Sequence, residues 1–151
     1  MKTVFNLDKV TYAYPQSDPV LRELSLVIRE GEKLSILGAN GCGKSTLLKI
    51  LAGLIFPQEG TLTAFGQKID PKHFGGDVSN AYHRRVGFIF QDSEVQLFCS
   101  TVYEELAFGP LQLGLPRETV KRRIEELAGL LGIGKLLDKT PFKLSGGEKK
   151  K

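Results

Sequence analysis

The segment Gly38-Ala39-Asn40-Gly41-Cys42-Gly43-Lys44-Ser45 has the spacing G-x-x-x-x-G-K-S/T, which suits a phosphate chain. Its glycines let the backbone curl so that successive N–H groups converge, and a helix beginning near Lys44 adds the positive end of its dipole. On that geometry Lys44 reaches the β- and γ-phosphates of a nucleotide, and the Ser45 hydroxyl becomes a ligand for Mg2+. Gly38, Asn40, Gly41, Cys42, Gly43 and Thr46 complete the expected contact set. Cys42 occupies a variable place in the loop and reads as a small filler; the sharper reading is a thiol activated by the helix start and by Lys44. A second constellation, Leu144-Ser145-Gly146-Gly147-Glu148, lies just before three terminal lysines. There Ser145 suits an N-cap and Glu148 completes a capping box, while the small residues leave a helix start open to an anion.

Both loops need a scaffold. From Val4 to Ile28 the chain alternates in strand fashion around the turn Pro15-Gln16-Ser17-Asp18-Pro19, predicting two antiparallel strands. Leu34-Ser35-Ile36-Leu37 is expected to be a short strand feeding the phosphate loop. Leu47, Leu48, Ile50, Leu51 and Leu54 mark a helix that Gly53 and Pro57 end. Further strands are expected at Thr61–Phe65 and, fully buried, at Val86–Phe90. The Gly75-Gly76 stretch within Pro71–His83 reads as a mobile loop that carries both histidines. Beyond Gln91 helix formers take over: Thr101–Phe108, then Pro116–Leu131, in which Val120, Ile124, Leu127 and Leu131 share a face and Pro116 suits the first turn. The chain is thus expected to form one domain with an α/β part over residues 1–90, a helical part over 91–143 and the closing motif over 144–151.

Composition narrows the partners. The chain has 151 residues, 41% of them hydrophobic, which suffices for one good core. The net charge of +4 counts the three terminal lysines; without them 18 basic residues face 17 acidic ones, which is no nucleic-acid footprint. No run of about eighteen apolar residues occurs and no secretory leader is evident, so a cytoplasmic setting is expected. Cys42 and Cys99 are too far apart in sequence, and too few, to indicate a disulfide framework or a zinc site.

The phosphate loop together with Gln91 and Leu144–Glu148 resembles the ATP-binding-cassette (ABC) ATPases along essentially the whole chain, from Val10-Thr11-Tyr12-Ala13-Tyr14 onward. The resemblance implies a P-loop α/β core with an antiparallel β subdomain, a smaller α-helical subdomain, and ATP with Mg2+ as ligands. It implies that Tyr14, with Tyr12 as the alternate, stacks on adenine. It also implies that Gln91 contacts Mg2+ and the attacking water, and that Ser145, Gly146 and Gly147 close over the γ-phosphate held by a second ATPase subunit paired head to tail. Lys44, Gln91 and Ser145 are then the catalytic set. The run Gln91–Phe98, the segment Thr101-Val102-Tyr103-Glu104-Glu105 and Phe108-Gly109-Pro110 are similar to the cobalt/nickel and energy-coupling-factor uptake ATPases. That similarity implies an importer of a metal ion, cobalt or nickel, or of a vitamin, with docking of a membrane-embedded subunit near Gln91–Phe98 and Thr101–Pro110 and the chain peripheral on the cytoplasmic face. Leu97, Phe98, Val102 and Phe108 are expected to form its apolar groove, rimmed by Glu94, Glu104 and Glu105; the alternative is that they merely pack the helical part.

The family's later Asp, catalytic Glu and switch His have no counterparts here, since Asp92, His73 and His83 come too early. The C-terminal part of the core is therefore expected to be missing, and the chain alone to bind nucleotide without a complete hydrolytic apparatus. The rival readings are a non-hydrolytic binding fragment and a soluble ABC protein of DNA repair or translation, the latter at odds with the lack of a large helical insertion.

Overall fold

In the computed structural model, which describes residues 1–91 and 96–149, the chain divides into two compact units, Met1–Gly87 and Phe88–Lys151. The first is organised by strands β1 (Thr3–Ala13) and β2 (Pro19–Arg29), an antiparallel pair. Strand β3 (Glu59–Ala64) adds to the other side of β1 and β4 (Gln67–Ile69) to β3, giving the order β2-β1-β3-β4. Strict alternation would not put both Leu7 and Val10 in the core. A register shift between them, with Lys9 at φ 48, inserts an extra residue and turns both inward. The neighbouring strand must follow that bulge, and Gly60 at φ 82 allows it: a Cβ there would collide with the Asp8 and Lys9 carbonyls.

Helix α1 (Lys44–Leu51) lays Leu47, Ile50 and Leu51 against Leu7, Val10, Leu21, Leu62 and Ile69. Each such side chain contributes roughly 1.5–3 kcal/mol of apolar burial. Helix α2 (Gly76–His83) closes over the far end of α1. The Leu51 carbonyl accepts from the Tyr82 hydroxyl at 2.5 Å, and the Ala52 carbonyl from His83 Nε2 at 3.2 Å. These two side chains satisfy carbonyls that a helix end leaves unpaired. Burial pushes the Tyr82 hydroxyl up to about 12.

The second unit packs α3 (Val102–Gln112) on α4 (Arg117–Leu131) through Ala107, Val120 and Ile124, with Tyr103, Leu115 and Leu137 around them. Single 3-10 turns at Gly134–Leu136 and Pro141–Lys143 lead to α5 (Gly146–Lys149). No described helix is long and apolar enough to cross a membrane.

Several elements differ from the sequence-based expectation. Residues 34–37 and 86–90 are not strands; among the described residues no strand pairs with them, and a β-strand without a ladder partner leaves its backbone groups unsatisfied. Leu37 is 90% and Ile89 92% exposed accordingly. Conversely, Pro71–His83 is not a loop throughout, because α2 forms on Gly75 as N-cap once Tyr82 has a core to enter. His83 is thus a helical residue. Helix α3 continues past Phe108 through Pro110 to Gln112, since a proline keeps a helical φ and removes only one amide. Pro116 stands one place earlier than expected, as the extended N-cap of α4.

Candidate functional site

Lys44, Ser45 and Thr46 form the first turn of α1, and the loop before them reaches it through Gly43, at φ 96. A Cβ on Gly43 would lie 2.8 Å from Leu21 Cδ2 and 3.0 Å from the Val20 carbonyl. Only glycine combines that left-handed backbone with so close an approach to β2. The loop is thereby seated on the sheet. No side chain caps α1 and no acidic residue lies in its first turn, so its N–H groups and dipole are available to an anion.

The Lys44 ammonium folds back over the loop, donating to the Gly38 carbonyl at 2.7 Å and the Ala39 carbonyl at 2.6 Å. It stands 3.8 Å from Cys42 Sγ. The Cys42 side chain occupies the space a Cβ on Gly38 would need, 2.7 Å from Sγ, which fits the filler role, and it remains exposed. Asn40 and Gly41 form the exposed tip of the loop and Ser45 is exposed beside it. Thr46, in contrast, is only 5% exposed and its Oγ1 lies 3.3 Å from the Tyr14 hydroxyl.

That contact brings Tyr14 to the phosphate loop across 32 positions of sequence. Tyr12 lies within β1 and packs on the core; Tyr14 follows the strand and is 36% exposed. Their rings meet edge to face at 5.1 Å. Of the two, Tyr14 has the open face and the link to the loop. Gln58 was not foreseen from sequence. Its side-chain amide accepts from the Ala13 N–H at 2.8 Å and donates to the Ala13 carbonyl at 3.1 Å, extending the ladder beyond β1. A lone glutamine after a helix carries no local signal for this contact.

Within the second unit, Gln91 is exposed and ends the described stretch 88–91. Asp92, Ser93, Glu94 and Val95 lie outside the described residues. Ser145 caps α5 as expected: Glu148 N–H donates to its Oγ at 3.3 Å, and Glu148 Oε2 accepts from its N–H at 2.8 Å. Gly146 and Gly147 are exposed, with open space where side chains would be.

The expected apolar groove is partly redrawn. A cavity of about 530 Å³ is lined by Phe98, Cys99, Tyr103, Ala107, Phe108 and Leu111, among others. Phe98 and Phe108 meet edge to face at 4.8 Å, and Phe98 is 62% exposed. Val102 is buried and, like Leu97, does not line the cavity. Of the expected acidic rim, Glu104 lines the cavity and Glu105 does not. Glu104 completes a capping box with Thr101, and Glu105 Oε2 accepts from the Phe98 and Cys99 N–H groups at 3.1 and 2.9 Å. Partial burial, followed by the charges of Glu105 and Glu104, holds the Cys99 thiol above its usual range.

No cluster of three His, Cys, Asp or Glu side chains able to hold a metal exists among the described residues. His73 pairs with Asp70 at 2.9 Å on the surface, and His83 serves the end of α1; neither histidine belongs to the loop.

Known proteins match this arrangement. The ABC transporter family profile covers residues 21–151. The nickel import ATP-binding protein NikO of Rhodobacter capsulatus is 46% identical over 152 residues, covering 100% of this chain and 59% of NikO. The structure of cbiO1 from Clostridium perfringens, described as part of the ABC transporter complex cbiONQ, superposes with a TM-score of 0.78 at 30% identity, covering 99% of this chain and 59% of cbiO1. A dimeric ATP-binding cassette in a post-hydrolysis state, bound to ADP and Pi, gives a TM-score of 0.77 at 26% identity, with coverage of 97% and 65%. The chain spans about 60% of the length of the curated relatives it matches. A phosphate loop seated between β2 and α1, in a chain with these relatives, belongs to the ABC transporter family of ATP-binding proteins.

Proposed function

We propose that this chain is the nucleotide-binding portion of an ATP-hydrolysing subunit that energises import of a metal ion, nickel or cobalt, from the cytoplasmic face of a membrane. The observation that carries this reading is the uncapped start of α1 with the Lys44 ammonium over its loop and the Tyr14 ring beside it. Lys44 and the first-turn N–H groups hold the phosphates, Tyr14 takes the base, and the Ser45 hydroxyl would supply an oxygen to Mg2+, while Gln91 keeps the role that the family resemblance implies for it. The ion, when bound, offsets phosphate charge and polarises the bond to be cleaved. Ser145, Gly146 and Gly147 face the ATP of a second subunit, and the Phe98–Phe108 cavity receives an apolar segment of a membrane-embedded subunit. The nickel assignment is supported by the name of the NikO relative, and the cobalt alternative by the similarity of Gln91–Phe98 and Thr101–Pro110 to cobalt/nickel uptake ATPases.

Binding and turnover are to be measured separately. Titration of the protein with ATP and Mg2+ should show saturable binding, and Lys44→Ala should weaken it about 100-fold, the value of roughly two charge-assisted hydrogen bonds. ATP affinity indifferent to Lys44→Ala would refute the site. Co-expression with nickel or cobalt uptake membrane subunits should give a complex that Phe98→Asp disrupts; a complex insensitive to that change places the docking face elsewhere.

A further inference from the structure

Tyr14 is restrained on every side for which the structure shows a contact. The residue before it is clamped by Gln58 through both backbone groups, at 2.8 and 3.1 Å. Its own carbonyl accepts from the Ser17 N–H at 3.1 Å and the Ser17 hydroxyl at 2.9 Å. Its ring meets Tyr12 at 5.1 Å with an interplanar angle of 88°, and its hydroxyl meets Thr46 Oγ1 at 3.3 Å. The first two restraints fix the backbone and the third touches the ring. Among the described contacts, the hydroxyl one ties the ring to the first turn of the helix that follows the phosphate loop.

Thr46 directly follows Lys44 and Ser45 in the first turn of α1. Thr46 is 5% exposed, so few water molecules compete with Tyr14 for its hydroxyl in this part-buried contact. A base platform held in advance saves the ordering cost that a mobile ring would carry at binding. Any displacement of the first turn of α1 also moves the partner of the Tyr14 hydroxyl.

We propose that Thr46 is a positioning residue that, through its hydroxyl contact with Tyr14, sets the angle of the ring against the base and so couples base recognition to the phosphate loop. This rests on Tyr14 and the phosphate loop forming one nucleotide site, as proposed above. Stacking needs only a flat face. Tyr14→Phe therefore keeps the platform and removes its anchor, while Thr46→Val removes the anchor from the other side at nearly constant volume. Thr46→Ser retains it.

The test is calorimetric titration of these variants and the Tyr14→Phe/Thr46→Val double variant with Mg2+-ATP and, separately, with inorganic triphosphate. Each single loss should weaken ATP about fivefold, the value of one ordinary hydrogen bond. The double variant should bind no more weakly than either single one, because both remove the same contact. The ratio of ATP to triphosphate affinity should fall in Tyr14→Phe, Thr46→Val and the double variant, and Thr46→Ser should restore it. Unchanged ATP affinity in Tyr14→Phe or Thr46→Val, or losses that add, would overturn the proposal. So would a Thr46→Val variant that loses triphosphate as much as ATP, since Thr46 would then act on the phosphates directly. Lys44→Ala, titrated in parallel with triphosphate, separates the two levels: triphosphate binding that survives it overturns the phosphate-loop reading, and this proposal with it.

Discussion

The two units hold their candidate site residues by opposite means. In Met1–Gly87 the decisive contacts are long in sequence: Tyr14 to Thr46 spans 32 positions and Gln58 to Ala13 spans 45. In Phe88–Lys151 the capping contacts are short, Thr101 to Glu104 and Ser145 to Glu148 lying three positions apart, and the long ties are backbone ones, from the Val102 N–H to the Lys139 carbonyl at 3.0 Å and from the Tyr103 N–H to the Leu137 carbonyl at 2.9 Å. A long-range contact exists only once the sheet is assembled, and it shares the cooperativity of that sheet. A capping box forms wherever its helix forms and fails without disturbing distant parts. The phosphate loop is accordingly a product of tertiary assembly, whereas the closing motif is a local device.

The largest expected effect strikes the sheet. Gly60→Ala forces a left-handed backbone and a collision with the β1 bulge, so it should lower stability by about 3 kcal/mol. Native-state hydrogen exchange should speed up along β1 and β3 while α4 keeps its protection. Uniform acceleration across both units would break the contrast drawn above. Gln58→Ala comes next, removing two hydrogen bonds from Ala13 at about 2 kcal/mol. It should loosen the amides of Ala13 and Ser17 and weaken ATP binding, although the described hydrogen bonds of Gln58 go to Ala13 and Thr11 of β1; unaltered ATP affinity would mean that clamping the end of β1 does not matter to the base platform.

Thr101→Ala tests the local side. Loss of the cap should cost about 1 kcal/mol, seen as faster exchange in the first turn of α3, with ATP affinity untouched. Reduced ATP binding would show that the helical unit is not independent of the phosphate loop. Tyr82→Phe should have the smallest effect at neutral pH, at most about 1 kcal/mol for one hydrogen bond, and a distinctive one in alkali. The folded hydroxyl titrates at about 12, the unfolded one near 10. The stabilisation from the neutral hydroxyl is therefore complete below pH ~10 and disappears as pH rises through about 12. Over that window the parent's denaturant midpoint should fall to that of the variant and then below it. A constant gap would exclude Tyr82 as the titrating group.

Much of this organisation is legible in residue order. The G-x-x-x-x-G-K-S spacing located the loop, alternation located β1, β2 and β3, and S-x-x-E located the cap at Ser145. The same signal, Thr101-x-x-Glu104, stood before α3 unread, and it would have told that Glu104 is spent on its own helix. Residues 34–37 and 86–90 show the limit of such reading. Their apolar composition makes them strand-like, but a strand needs a neighbour, and composition says nothing of whether one pairs. Helix α2 was hidden for the reverse reason: with Gly76 at its start and Tyr82 its one fully buried residue, it has almost no periodicity, and docking on the end of α1 supplies what propensity lacks.

Residue order alone determined the chemistry available: a lysine and a serine after a glycine loop, an aromatic pair near the N-terminus, small residues at a helix start. These are properties of covalent spacing and backbone freedom, which act within a few residues. Tertiary structure decided which aromatic ring stands at the loop and which hydroxyl it meets. Those outcomes depend on residues brought together across tens of positions by burying Leu7, Val10, Ile50 and Leu62 in one core, and no local pattern encodes them.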